Sequence, residues 1–509
     1  MTEHYLDRLA RTINANWDAP ALTDFYLTED GTAQDTSRGN HYTYGEMYIE
    51  IVRVANYLSQ IGLKRGDHIA ICGANSAHWV IAYLAIAKMQ GVSVTIMHSL
   101  MPEQISELVH FSDAKALFTD EDIWKELQDL FIPQVHTVVS LADWSCLRSE
   151  MGVIICEPQP LVHQMVSFPR CAADTLAMLC FTAGTEGMPK GVMLSYRNIS
   201  NVTLNELNGF PKTTNVNYVS LLPYAHTYGL MTDIIGQLAF KKHIHIIHSV
   251  SSKTLFLALH WIKPYAIVTI PNTLEQMYVR FKEQLPMKLG GECEQLYIGG
   301  ASLSQETTNA LLSLGLPFSM GYGMSETCFL ISYVQSTQYR FNSAGKISIG
   351  MTARIADNGE ILVKGENVML GYYKNPEATA KKIDKDGWLH TGDKGYLDED
   401  GYLYVEGRLE QDMIVLPDGE NIHPDNIESK INALEEVKES IVLAREGKLI
   451  AIVVISNELS ADSRKALRLS ILRSVNAQLP FYAQLYDIEW SEEPLARTSK
   501  QTIKRYLYK

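Results

Sequence analysis

The chain has 509 residues, of which 46% are hydrophobic and 20% are charged. This ordinary globular composition excludes wholesale disorder, collagen-like sequence and a small disulfide-bonded scaffold, and the length predicts more than one domain. The formal net charge of -14 comes from 58 acidic and 44 basic side chains. Because such a surface repels phosphate backbones, we expect no general binding to nucleic acid.

The cysteines and the apolar segments indicate the compartment. The 7 cysteines are odd in number and none stand in C-x-x-C spacing, which disfavours a disulfide framework and a structural zinc site. Residues 1–15 are charged and have no apolar core, unlike a secretory signal. The most apolar stretch, residues 79–97, is interrupted by Lys88 and Gln90 and falls short of a membrane span. We therefore expect a cytoplasmic protein with no transmembrane segment.

Helical and strand patterns alternate along the first four hundred residues. Apolar residues at helical spacing predict a helix over 49–61, and a short apolar run predicts a strand over 68–72. A second helix is predicted over 79–89. Further strands are predicted at 92–97, 116–119, 135–141, 243–248, 266–270 and 296–298. This alternation predicts an α/β fold with layered, mainly parallel sheets.

The pattern changes after about residue 345. Residues 345–373 and 395–406 combine glycines, turns and short alternating runs, which predict a small antiparallel, β-barrel-like subdomain. Strands at 441–444 and 449–455 and a helix at 463–478 follow. With a boundary near Arg408, we expect a large N-terminal domain of residues 1–408 and a small α+β C-terminal domain of residues 409–509.

The strongest local feature is the glycine-rich stretch FTAGTEGMPKGV at residues 181–192. Glycines let several backbone N–H groups face one anion, Thr182 and Thr185 offer hydroxyls, and Lys190 offers a mobile positive charge. The stretch is not the loop G-x-x-x-x-G-K-[ST], because Gly191 follows the lysine and Pro189 stands where that motif has glycine. Considered alone, it is also compatible with a plain hairpin loop.

The stretch resembles T-S-G-T-T-G-x-P-K-G, the phosphate-binding signature of the adenylate-forming superfamily. That superfamily includes acyl- and aryl-CoA synthetases, the adenylation domains of peptide synthetases, and firefly luciferase. The matching positions are Thr182, Gly184, Thr185, Gly187, Pro189, Lys190 and Gly191. Ala183 and Glu186 replace the usual serine and second threonine.

Further motifs follow in the order of the family. GGASL at 299–303 is similar to the loop beside adenine, and GYGMSET at 321–327 matches G-Y-G-x-[ST]-E. GWLHTGD at 387–393 matches W-x-x-T-G-D. Residues 407–408 and 419–428 match the junction with the small domain, and 494–500 resemble the tail motif P-[LR]-x-x-x-G-K with Ser499 replacing glycine. The pattern is most similar to bacterial fatty acid and carboxylic acid–CoA ligases.

The resemblance implies a nucleotide site built from these motifs. Its residues are Thr182, Gly184, Thr185, Gly187, Lys190, Gly300, Ala301, Ser302, Gly321, Tyr322, Gly323, Thr327, Asp393 and Arg408. By resemblance Glu326 holds Mg²⁺, and Thr182 and Thr327 bind phosphate. Asp393 accepts hydrogen bonds from the ribose, Arg408 assists at the ribose or phosphate, and Tyr322 stacks on adenine. ATP, Mg²⁺ and coenzyme A are the implied cofactor, metal and co-substrate.

The resemblance also implies two steps with a domain rotation between them. A carboxylate and ATP give acyl-AMP and pyrophosphate, and a thiol then attacks the mixed anhydride. Lys500 is the catalytic lysine that bridges the carboxylate and the α-phosphate during the first step, a task suited to a mobile ammonium. Glu410 is the first choice for the hinge and Asp412 the second.

His226 is implied as the residue between the acyl pocket and the thiol tunnel, within LPYAHTYGL at 222–230. A buried core histidine is the alternative reading. Peptide-synthetase relatives carry an aspartate just after this position, where this chain has Thr227. That argues against an α-amino acid, although Asp233 is a nearby acid that leaves this substrate open. We expect a fatty or aromatic acid.

The histidine-rich run at 241–248 is a candidate metal site. On a strand His243 and His245 share one face while His248 takes the other, so one face offers only two ligands. We therefore disfavour a metal site, and we interpret the basic pair Lys241 and Lys242 as a solvated strand start.

The sequence therefore predicts an ATP-dependent carboxylic acid–CoA ligase, an AMP-forming acid–thiol ligase. The first alternative is an acyl-AMP ligase that loads an acyl carrier protein. The second is a catalytically degenerate nucleotide-binding protein, suggested by Ala183, Glu186 and Ser499.

Overall fold

Described residues and elements. The computed structural model describes residues 3–28, 34–35, 37–130, 132–149, 165–182, 189–206, 213–248, 252–299, 303, 305–409, 414–416, 420–422, 424–434, 436–455, 460–496 and 507–508. The strands are β1 (Pro20–Phe25), β2 (His41–Thr43), β3 (His68–Cys72), β4 (Val92–Thr95), β5 (Ala116–Thr119), β6 (Thr137–Ser140), β7 (Cys146–Ser149), β8 (Leu176–Thr182), β9 (Lys190–Ser195), β10 (Asn217–Ser220), β11 (His243–Ile247), β12 (Ala266–Thr269), β13 (Gln295–Ile298), β14 (Phe318–Tyr322), β15 (Ser332–Gln335), β16 (Ser343–Ile347), β17 (Met351–Ile355), β18 (Glu360–Gly365), β19 (Gly371–Tyr372), β20 (Leu389–Leu397), β21 (Tyr402–Arg408), β22 (Ile414–Val415), β23 (Asn421–Ile422), β24 (Val437–Arg445), β25 (Lys448–Ile455) and β26 (Leu485–Ser491). The α-helices are α1 (Tyr5–Ala15), α2 (Tyr44–Gln60), α3 (Ala77–Lys88), α4 (Pro102–Phe111), α5 (Glu121–Leu127), α6 (Tyr196–Asn201), α7 (Gly236–Ala239), α8 (Ser252–Ile262), α9 (Pro271–Phe281), α10 (Leu285–Lys288), α11 (Gln305–Ser313), α12 (Pro376–Lys382), α13 (Pro424–Asn432) and α14 (Ala461–Asn476).

An eight-stranded sheet forms from the strands between residues 68 and 195 together with β19. Its order is β19-β9-β8-β4-β3-β5-β6-β7 within the described residues. The central strands β8, β4, β3, β5 and β6 run parallel, while β9 pairs antiparallel with β8 on one side and with β19 on the other. The parallel strands are buried along most of their length, as expected for strands covered on both faces.

A thirteen-stranded sheet contains the rest of the large domain. Its order is β17-β18-β20-β21-β16-β15-β14-β13-β12-β10-β11-β1-β2 within the described residues. The strands from β14 to β1 are parallel, and from β15 onward the pairing is antiparallel. The antiparallel strands predicted near 345–406 are therefore present, and they continue the parallel sheet through hydrogen bonds between β14 and β15.

Helix α3 lies in the core between the two sheets. Every residue from Ala77 to Ala87 is buried, and the same apolar cluster contains Ile71 of β3 and Ile246 of β11. A helix that is apolar on all sides is typical of a fully buried position. This buried position explains why the most apolar stretch of the sequence begins within α3. None of the described helices is long and apolar enough to cross a membrane.

The small domain has its own core. Strands β24, β25 and β26 form a three-stranded sheet, and Ile431 of α13 and Ile471 of α14 are buried in one cluster with its strands. The predicted fold class, a large domain of α/β sheets and a smaller α+β domain, is confirmed. The exact boundary at residues 408 and 409 stays a prediction.

Candidate active site

The two ends of the glycine-rich stretch lie on paired strands. Strands β8 and β9 pair antiparallel, and Thr182 faces Lys190 as the last described pair. Tyr373 N donates to the carbonyl of Gly191, which joins β9 to the segment around β19. Gly184, Thr185 and Gly187, together with Ala183 and Glu186, lie outside the described residues.

Glu326 is linked to Lys190 of β9 through the side chain of Tyr372. It lies in the short 3-10 helix Ser325–Thr327 and is 7% exposed. Its Oε1 accepts a hydrogen bond from the Tyr372 hydroxyl at 2.7 Å, and the Lys190 Nζ lies 5.4 Å from the centroid of the Tyr372 ring. Burial, reinforced by the Glu326 charge, raises the pKa of Tyr372, so its hydroxyl remains a donor. Lys190, Tyr372 and Glu326 thus form one contact chain.

The backbone after Glu326 is strained. Cys328 has φ 51 and Phe329 has φ 80, which non-glycine residues rarely adopt. Gly323 packs so closely that a Cβ there would lie 2.0 Å from the Phe329 carbonyl oxygen, so only glycine fits. The Thr327 hydroxyl donates to the Met324 carbonyl at 2.9 Å and closes the turn. Such strain clusters at ligand-binding turns, because the surrounding packing fixes the geometry.

Asp393 and Tyr322 form a second contact. The Tyr322 hydroxyl donates to Asp393 Oδ2 at 2.6 Å, and Asp393 is 7% exposed. Asp393 N donates to the Thr391 hydroxyl oxygen at 3.0 Å, which fixes the strand end. In the sheet Asp393 faces Arg408 across β20 and β21, and the Arg408 side chain lies outside the described part of the structure.

His226 ends a turn that we call the His226 turn, residues 221–226. The imidazole is accessible to solvent, yet the surrounding protein lowers its pKa by desolvation. Both observations fit a side chain that lines a recess of the protein. Nδ1 accepts a hydrogen bond from Tyr228 N at 3.2 Å, which leaves Nε2 as the atom presented to a ligand.

Tyr228 brings the His226 turn close to two predicted nucleotide motifs. Its ring centroid lies 5.5 Å from that of Phe329. On the other side a Cβ on Gly299 would lie 2.8 Å from the Tyr228 Cζ, so the ring packs directly on the Gly299 backbone. The His226 turn, Gly299 and the strained turn after Glu326 therefore meet at Tyr228.

Asp233 is buried beneath the His226 turn. It lies in the π-helix Gly229–Ile235, is 0% exposed and accepts hydrogen bonds from Tyr218, Ser220 and the N–H groups of Leu221 and Leu222. Since these internal donors occupy both oxygens, the carboxylate is not presented to a ligand. This removes the support that Asp233 gave to an α-amino acid substrate.

The pKa of Asp233 predicts a pH dependence of stability. Burial raises the pKa from 3.8 to about 6, so the folded protein holds a proton that the unfolded chain has lost between these values. Stability from this group is present below pH 3.8 and is lost as pH rises to 6, by about 3 kcal/mol. We expect the thermal midpoint of wild type relative to Asp233→Asn to fall over this window and then stay constant up to pH 8. A difference that grows with pH would contradict this.

Known proteins are similar along the whole chain. The family described as AMP-binding enzyme matches residues 9–373, and the AMP-binding enzyme C-terminal domain matches residues 411–508.

The chain belongs to the AMP-binding enzyme family.

Individual relatives agree with this assignment. A long-chain-fatty-acid–CoA ligase of Mycobacterium bovis is 27% identical over 79% of this chain and 75% of its own length. A 2-succinylbenzoate–CoA ligase of Oceanobacillus iheyensis is 28% identical over 81% and 83%. The solved structure of an o-succinylbenzoate CoA synthetase from Bacillus subtilis has a TM-score of 0.78 at 22% identity, covering 98% of this chain and 97% of that one, which supports the fold. The predicted superfamily and the predicted enzyme class, an AMP-forming acid–thiol ligase, are confirmed.

Several predicted site residues lie outside the described residues of this AMP-binding enzyme. They are Gly300, Ala301 and Ser302 of the adenine loop, Glu410 and Asp412 of the hinge, and Lys500. Their roles stay predictions.

The histidine run is occupied by structural contacts. His243 and Thr23 Oγ1 are 2.8 Å apart, and His248 Nε2 lies 3.0 Å from Asp24 Oδ1. The described residues contain no group of three or more side chains that could hold a metal ion.

Tyr372 and Asn75 were missed by the sequence interpretation. Tyr372 had one local signal, Gly371, whose φ of 139 lets the backbone pass close to the Thr379 side chain. Asn75 had none beyond its place between a strand and a helix. Both residues form hydrogen bonds with motifs that are distant in the sequence.

Proposed function

We propose that the protein is an ATP-dependent carboxylic acid–CoA ligase that forms acyl-AMP with release of pyrophosphate and then an acyl-CoA thioester. The observation that carries this proposal is the contact chain from Lys190 through Tyr372 to Glu326. It joins a cation at the first residue of β9 to a buried carboxylate. A site that brings two anions together requires such charge neutralisation and positioning.

The residues around this contact chain would have distinct tasks in the first step. Lys190 and the Thr182 hydroxyl would bind phosphate oxygens, and the donor set fits Mg²⁺ at Glu326. Of the two carboxylate oxygens of Glu326, only Oε1 has a hydrogen-bond partner among the described residues, which leaves Oε2 for a cation. Mg²⁺ typically takes one or two carboxylates besides phosphates and water, and it would neutralise charge on the phosphates when bound.

The Tyr322–Asp393 pair would hold the nucleoside. The ring would stack on adenine, and the Asp393 carboxylate would accept from the ribose hydroxyls. The hydroxyl of Tyr322 orients that carboxylate at 2.6 Å.

We expect Tyr322→Phe to raise the KM for ATP by about three- to tenfold, because the ring remains while Asp393 loses the group that orients it. Steady-state kinetics with ATP and acid varied separately measures this. The KM for the acid is expected to stay within about twofold of wild type, because the acid does not contact this pair. An unchanged KM for ATP would argue against the assignment.

The small domain would supply the lysine. We propose that Lys500 bridges the carboxylate and the α-phosphate, and that the small domain, residues 409–509, rotates at Glu410 or Asp412 before thiol attack. A charged hinge residue stays solvated in both positions.

The substrate is proposed to be a fatty or aromatic acid. Asp233 is held by internal hydrogen bonds and Thr227 stands where peptide-synthetase relatives carry aspartate, so neither position offers a carboxylate to a substrate ammonium. Two relatives, a long-chain-fatty-acid–CoA ligase and a 2-succinylbenzoate–CoA ligase, support the same range.

The test is acid-dependent exchange of labelled pyrophosphate into ATP, run with a panel of fatty, aromatic and amino acids. Exchange with at least one acid, followed by thioester formation with free coenzyme A, is the expected result. Thioester formation only on an acyl carrier protein would favour the loading ligase. No exchange with any acid would indicate a nucleotide-binding protein instead.

A further inference from the structure

The His226 turn is attached to both sheets of the large domain. On the side of the thirteen-stranded sheet, Asp233 Oδ2 accepts from Leu221 N and Leu222 N, both at 3.0 Å. The buried Tyr224 hydroxyl lies 2.9 Å from Ser220 Oγ, which itself donates to Asp233. These contacts fix the beginning of the turn.

Two residues from the eight-stranded sheet hold the remainder of the turn. Asn75, between β3 and α3, donates from Nδ2 to the Leu222 carbonyl at 2.7 Å and accepts at Oδ1 from Tyr224 N at 3.1 Å. The Thr95 hydroxyl, at the end of β4, donates to the Ala225 carbonyl at 3.1 Å. The amide of Asn75 therefore bonds to a donor and an acceptor of the turn at once, which fixes the orientation of the turn as well as its position.

The packing around Asn75 supports the same geometry. Trp79, in the first turn of α3, contacts the Tyr224 ring edge-on with centroids 5.5 Å apart. A Cβ on Gly229 would lie 2.4 Å from the Pro223 carbonyl oxygen, so the turn lies directly against the following helix. The turn is therefore packed between α3 and the helix that follows it. Because His226 ends this turn, we expect its position to change when the hydrogen bonds to Asn75 are lost.

We infer that Asn75 is a positioning residue that sets the His226 turn between the acyl site and the entry of the thiol. This rests on the proposed function. Asn75 does not contact Tyr322, Asp393, Glu326 or Tyr372 through any hydrogen bond in the described residues. Its loss should therefore affect the acid and the thiol, and leave ATP binding unchanged.

The test compares Asn75→Leu, which removes both hydrogen bonds and keeps the branched shape of the side chain, with Ser76→Ala. Ser76 is the matched control because its Oγ caps α3 by accepting from Trp79 N at 3.1 Å and makes no bond to the turn. Loss of this N-cap is expected to destabilise the segment that also contains Asn75. Both variants are measured as full-length protein for thermal midpoint, for the KM of acid and of ATP, and for thioester formation from supplied acyl-AMP.

Asn75→Leu is expected to raise the KM for the acid about tenfold and to slow thioester formation from acyl-AMP about tenfold, with the KM for ATP within about twofold. Ser76→Ala is expected to lower the thermal midpoint with both KM values near those of wild type. Equal effects of the two variants on the KM for the acid, or a rise in the KM for ATP as large as that for the acid, would overturn the inference.

Two further variants keep the inference testable if Asn75→Leu does not fold. Thr95→Val removes only the bond to Ala225, so a smaller effect with the same selectivity for acid and thiol is expected. Asn75→Asp keeps the acceptor for Tyr224 N but places a carboxylate against the Leu222 carbonyl. The activity of this variant relative to wild type should rise as pH falls, because the introduced carboxyl group becomes protonated and can donate to that carbonyl. A flat ratio across pH together with an unaltered Thr95→Val would refute the inference. If wild type itself shows no acid-dependent exchange, the proposed function fails instead.

Discussion

Glu326→Gln is expected to lower the rate of acid-dependent pyrophosphate release by about 10²–10³-fold, the usual cost of removing one preorganised electrostatic group from a site of charge transfer. The amide has the same shape, and its oxygen still accepts from the Tyr372 hydroxyl, which lies 2.7 Å from Glu326 Oε1. The turn around residues 325–327 should therefore remain. What is lost is the negative charge that would hold a divalent cation beside the phosphates.

Tyr372→Phe is the matched control for this substitution. It removes the hydrogen bond while the charge of Glu326 remains, so we expect a decrease of less than about tenfold. Pyrophosphate release is measured across a range of Mg²⁺ concentrations for both variants. If Glu326→Gln and Tyr372→Phe lower the rate equally, the charge of Glu326 has no special part, and a structural role of the pair is the better account.

Lys500→Ala is expected to slow formation of acyl-AMP by about 10²–10³-fold while thioester formation from supplied acyl-AMP stays within about twofold. The ammonium would neutralise the two anions only during the first step, since the α-phosphate has already been joined to the acid in the second. Lys500 lies outside the described residues, so this expectation rests on the match of residues 494–500 to the tail motif.

Lys504→Ala serves as the control for Lys500→Ala, because it removes an equal charge from the same tail four residues later. The two half-reactions are measured separately for both variants. A loss of equal size in both half-reactions of Lys500→Ala would contradict a role confined to the first. An equal effect of Lys504→Ala would indicate that only the net charge of the tail matters.

Local signals allowed much of the fold to be predicted. The strand at 116–119 was placed at its exact bounds, because a short apolar run there ends at Asp120. The helix predicted over 49–61 begins earlier, at Tyr44, because Thr43 and Glu46 form a capping box that apolar periodicity does not record. The continuation of the antiparallel strands into the parallel sheet had no local signal, since it depends on pairing between β14 and β15.

The candidate site was predicted only where residues stand in compact motifs. Glu326, Tyr322 and Lys190 belong to short stretches whose chemistry is readable in order. Asn75 bonds Tyr224 across 149 positions, and Tyr372 bonds Glu326 across 46. Such contacts arise from the arrangement of the sheets, so no spacing in the sequence announces them.

The joined architecture of the thirteen-stranded sheet limits how the large domain can be cut. Strand β15 lies between β14 and β16, and the strand that carries Asp393 belongs to the same hydrogen-bonded array. A fragment ending near residue 342 would leave the amide and carbonyl groups of Ser332–Gln335 as a bare edge. Bare edges recruit strands from other molecules, so we expect that fragment to aggregate rather than to survive as a smaller nucleotide-binding protein.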